Sequence, residues 1–137
     1  MTIANVDMLV SILAGMKLNK ITDKRVKSTL VNDYLLLRRH AKETEADRKV
    51  LVDKFQSDWA DELDAVEAFR RADKPVVGHD AYLKAEKDAN EAVSALFSRE
   101  VEVDIKPVPM DDFMAHCGAE ELTFEQLAFL QESGVVE

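Results

Sequence analysis

The chain has 137 residues, a formal net charge of -9 and 47% apolar residues, enough for one domain with a core and a solvated surface. Four glycines and three prolines are too few turn-formers for a sandwich or barrel of many short strands, and the apolar fraction is too high for a disordered chain. The single cysteine, Cys117, excludes an intrachain disulfide framework and a Cys-x-x-Cys metal site.

Residues 1–137 read as a single domain. Residues 1–5 are short and lightly β-favouring, and Asn5 or Asp7 can cap a helix over Val6–Leu18 in which Met8, Leu9, Ile12, Leu13 and Met16 form one apolar face. Met8–Met16 is also the longest apolar stretch, about half a membrane span. No Lys or Arg precedes it and Asp7 abuts it, unlike the basic leader of a signal peptide. The expectation is a cytoplasmic protein with no membrane partner.

Thr22-Asp23 supplies the next helix cap, and no Gly or Pro interrupts residues 23–73. Val26, Leu30, Tyr34, Leu37, Ala41, Thr44, Arg48, Leu51 and Phe55 step by four and three, the alternation of a coiled-coil-like seam. Trp59, Leu63, Val66 and Phe69 continue it after a step of four where three is due. This predicts either a stutter in one helix or a break near Gln56–Asp58 with Ser57 as cap. Pro75 and Gly78 mark a loop, and Asp80 can start a helix striped by Tyr82, Ala85, Ala89, Val93 and Leu96. That helix pairs antiparallel with the preceding one as a hairpin.

From Val101 the period changes to two: Val101, Val103 and Ile105 point one way, Glu102, Asp104 and Lys106 the other. The pattern predicts a half-buried strand over Val101–Lys106 paired with Thr2–Asn5. Met110–Ala115 can make one helical turn, and Thr123 with Gln126 forms a capping box for a last helix containing Phe124, Leu127, Ala128 and Leu130. The fold class expected is α+β, predominantly α: a long helical hairpin with flanking short helices and a small two-stranded β element.

Little in the pattern carries chemistry. His116 and Cys117 are neighbours and point about 100° apart on a helix, so they make no chelating pair. His79 reads as solvent-facing beside the capping Asp80. Arg38, Arg39, His40 and Lys42 read as a solvated face with ion pairs such as Arg39–Glu43. Asp58, Asp61, Glu62, Asp64 and Glu67 lack the turn glycine of a calcium loop and read as the wet side of an amphipathic helix. No phosphate-cradling loop, nucleophile elbow or zinc-protease motif is present. The expectation is no enzyme, no catalytic, cofactor-binding or metal residues, and no cofactor. Residues 101–137 carry Lys106 alone against nine acids, so direct nucleic-acid binding, which needs clustered cations, is not expected.

Leu18-Asn19 with Ile21, then Tyr34 and Leu37, then Leu96 with Glu100–Val103, then Leu122-Thr123 with Leu127 and Leu130 follow one another in a recognisable order. In that order the chain resembles the small helical proteins of bacteriophages and prophages. These have a leading helix, a Leu-Asn turn, a long charged helix, a Glu-Val-Glu-Val strand and a closing helix. The 58–80 region is longer and more acidic than that pattern. The resemblance implies no catalytic residues. It implies a non-enzymatic protein working through protein–protein contacts, in assembly or host interaction. The alternative is an acidic nucleic-acid mimic that inhibits a host nuclease or defence enzyme. A seam this long exposes apolar surface around Leu51, Phe55 and Trp59, which predicts a homodimer interface there.

Overall fold

The apolar face that the sequence assigns from Val6 onward begins three residues earlier. In the computed structural model, which describes residues 1–137 apart from the Ala119 side chain, helix α1 spans Ile3–Gly15. The Thr2 hydroxyl accepts the Asn5 N–H at 3.2 Å and satisfies one orphan donor of the first turn. Ile3, Val6, Leu9, Ile12 and Leu13 then share a buried face. After a 3₁₀ turn at Leu18–Lys20, the Asp23 carboxylate accepts the Val26 N–H at 3.0 Å and starts α2, Lys24–Asp58.

Ser57 lies inside α2, not at a cap. The interruption falls at Trp59, whose φ of -119° leaves the helical region while its carbonyl still accepts the Leu63 N–H at 3.0 Å. The irregular step in the seam is absorbed by this one residue, and α3 runs over Ala60–Arg71. It stops before Pro75. Asp73 adopts a left-handed φ of 54°, and the Lys74 N–H reaches back to the Phe69 carbonyl at 3.0 Å. Helices α4 (Asp80–Ser98), α5 (Met110–His116) and α6 (Phe124–Glu132) follow.

The chain divides into two compact units: residues 1–43 with 99–137, and residues 44–98. Helix α2 contributes its first part to one and its second part to the other. In the first unit Val6, Leu9 and Leu13 of α1, Leu30 and Leu37 of α2, Phe113 of α5 and Leu130 of α6 meet in one apolar cluster. The turn after α6 closes it. Gly134 has φ of 86°, which an L side chain resists. The Gly134 N–H bonds the Gln131 carbonyl and the Val135 N–H bonds the Leu130 carbonyl, so that Val135 and Val136 turn into the core. In the second unit Val66 and Tyr82 are the fully buried apolar side chains. The Tyr82 ring lies 5.4 Å from that of Phe55 and 5.9 Å from that of Trp59. The Arg70 guanidinium grips Glu86 through two contacts of 2.9 and 2.7 Å, which joins α3 to α4.

The α+β expectation fails at its β part: the chain is helical, and the two-stranded element does not form. Val101, Val103 and Ile105 do face the core, as their alternation indicates. Their backbone, however, joins no strand ladder. Ile3–Asn5, three of the four residues expected to pair with it, are taken into α1, so the contact reduces to an isolated antiparallel bridge between Thr2 and Glu100. A second isolated bridge, parallel, joins Val108 to Val136. Between them the Lys106 N–H finds a side-chain acceptor, Asp33 Oδ1, at 2.8 Å. Side-chain acceptors meet the same obligation that a sheet would.

Candidate functional site

An open groove of about 780 Å³ lies between α1 and α6. Met8, Ser11 and Ile12 line it from α1; Ala128 and Phe129 line it from α6, together with the polar Thr123, Glu125, Gln126 and Glu132. On α6 positions 125, 128, 129 and 132 fall at i, i+3, i+4 and i+7 and therefore share a face. Met8 is 51% exposed, a large apolar side chain on the wall of a groove. The start of α6 is fixed by the expected capping box: the Gln126 N–H bonds the Thr123 hydroxyl at 3.1 Å, and the Thr123 N–H bonds the Gln126 side-chain oxygen at 2.9 Å. Phe124, the first residue of that helix, is 86% exposed.

Part of this was readable. Leu127–Leu130 are four consecutive apolar residues, and on a helix they sweep most of the circumference, so one core face cannot hold them all. Leu130 takes the core, and Phe129 is left half-exposed in the groove.

His116 and Cys117 border a cavity of about 430 Å³ beside Lys17 and Lys20. Cys117 is buried, and burial pushes its thiol up to about 11, helped by the Asp23 carboxylate nearby. At neutral pH it is a protonated, weakly nucleophilic thiol. His116 Nε2 stands 3.8 Å from Asp23 Oδ2, too far for a hydrogen bond. His79 is not turned to water as its loop position suggested: its Nδ1 lies 2.9 Å from Glu62 Oε2. Of the acids at 58–67, Glu62 is thus engaged by His79, and Glu67 pairs with Arg71 at 2.9 Å. Among the described residues no three His, Cys, Asp or Glu side chains gather as a metal site, and no helix is long and apolar enough to cross a membrane.

Leu51, Phe55 and Trp59 come together in the second unit. Leu51 and Phe55 line a smaller groove of about 250 Å³ with Tyr82 and Val93 of α4. All three are half-buried. The Tyr82 ring packs against Phe55 and Trp59 from within the same chain. Val50, one residue before Leu51, is 67% exposed.

Comparison with family models, curated proteins and solved structures finds no significant match to this chain.

Proposed function

We propose that this chain works by binding another protein, in the manner implied for the small helical phage and prophage proteins that its sequence order resembles, with assembly or host contact as the setting. The observation that carries the reading is the open groove between α1 and α6, lined in part by Met8, Ile12, Ala128 and Phe129, with Met8 half-exposed on its wall. An apolar side chain left in water on a concave surface gains free energy only when something covers it. Phe124, at the head of α6, is a further exposed large apolar side chain in the same unit.

Selection of a random peptide library against the full chain tests the reading. Binders are expected whose affinity collapses in Met8→Asp and survives in Val50→Asp, an exposed apolar position in the other unit. Binders indifferent to Met8, or none at all, sink it.

A further inference from the structure

The groove between α1 and α6 carries charge of one sign. Its charged lining residues are Glu125 and Glu132, and no Lys or Arg lines it. Both carboxylates are exposed, and they flank Ala128 and Phe129 on one face of α6. They stand seven positions apart, about 10–11 Å along a helix axis at 1.5 Å per residue. The segment that holds α6, residues 101–137, has one base against nine acids, which biases the approach of cations over a wider area.

We infer that the groove receives an amphipathic helix of basic character, with Lys or Arg seven residues apart and two apolar residues midway between them. The inference rests on the reading of this groove as a protein-contact surface. A helix laid along α6 has the same rise, so bases at i and i+7 come opposite Glu125 and Glu132. Side chains at i+3 and i+4 meet Ala128, Phe129 and the α1 wall of Met8 and Ile12. This is recognition of a helix in a groove: the apolar floor supplies affinity, and the paired carboxylates set register and reject acidic helices. The Thr123–Gln126 capping box holds that end of the groove in place before the partner arrives.

The test uses the full chain and two labelled 16-residue helical peptides, identical except that the i and i+7 positions are Lys in one and Glu in the other, with Leu at i+3 and i+4. Fluorescence anisotropy at low salt is expected to show the Lys peptide binding at least tenfold tighter. The double variant Glu125→Lys with Glu132→Lys should reverse that preference, and Glu125→Gln with Glu132→Gln should abolish it. Asp111→Lys with Asp112→Lys changes the net charge as much as the double Lys variant does, away from the groove, and should leave the preference within twofold. Equal loss in the Asp111 and Asp112 variant would reveal non-specific attraction and overturn the inference. If both peptides bind alike and Met8→Asp abolishes both, the groove stands as a contact surface and the basic partner falls. If neither peptide binds through Met8, the inference falls outright, and the library selection decides the broader reading.

Discussion

Burial pushes the Asp33 carboxyl up to about 6 from its ordinary 3.8, and the neighbouring Asp104 carboxylate adds to the rise. The Lys106 backbone N–H and the Lys106 charge oppose it without cancelling it. Oδ1 has its hydrogen bond to that N–H, but the buried Oδ2 has no partner. The group therefore holds its proton more tightly in the fold than in the unfolded chain. Between about pH 4 and pH 6 the native state binds more protons, so stability rises as pH falls through that window and is lowest above it. At about 1.4 kcal/mol per pKa unit, ionised Asp33 costs on the order of 3 kcal/mol at neutral pH. Asp33→Asn keeps an oxygen for the Lys106 N–H and removes the charge, although its amide N–H₂ inherits the unpartnered position. It should stabilise the chain by about 1–2 kcal/mol at pH 8, less than the full ionisation cost, because a buried unpaired amide is itself unfavourable. The gain should shrink toward pH 4. Urea midpoints at the two pH values measure this, and an equal shift at both would remove ionisation as the cause.

Among the elements, the most deeply buried link between α4 and its neighbours is the Tyr82 ring. Tyr82 is buried, with Phe55 and Trp59 against it, whereas the Arg70–Glu86 pair on the neighbouring surface sits in water. Tyr82→Ala should cost about 3–4 kcal/mol, as large aromatic truncations in cores do. Because Trp59 is the one tryptophan, its emission should move to the red in the same variant. Arg70→Ala should shift the midpoint far less, since water screens exposed ion pairs; a larger loss there than at Tyr82 would reverse the assignment. The helices were legible because their signals are local: Asp23 and Thr123 at caps, Val26 to Phe55 at steps of three and four. The period-two stretch told which side chains of residues 101–106 face the core, but not what their backbone bonds to. That depended on Asp33, 73 residues distant from Lys106, and on α1 beginning at Ile3. The groove was legible only as an excess of apolar residues in α6. Which of Leu127–Leu130 would be left outside depends on how α1 and α6 meet, and no local pattern encodes it.

At the scale of the whole molecule the two units are unequally filled. Apart from Thr44, Val66 and Tyr82, the buried side chains belong to residues 1–43 and 99–137. Local stability follows buried apolar contact, so native-state hydrogen exchange should release the amides of 60–98 before those of α1 and α6. Matching protection across both units would show that they open together. The unit with the fuller core is the one whose sequence is divided, since residues 44–98 lie between its two parts. On a ribosome adding about 5–20 residues per second, roughly 2–8 s pass between the synthesis of residue 98 and that of residue 136. In that interval the inserted unit has all its residues, while the apolar face of α1 still lacks Phe113, Leu130, Val135 and Val136. The nascent chain thus displays that face to chaperones, and the inserted unit is expected to fold before the one that surrounds it.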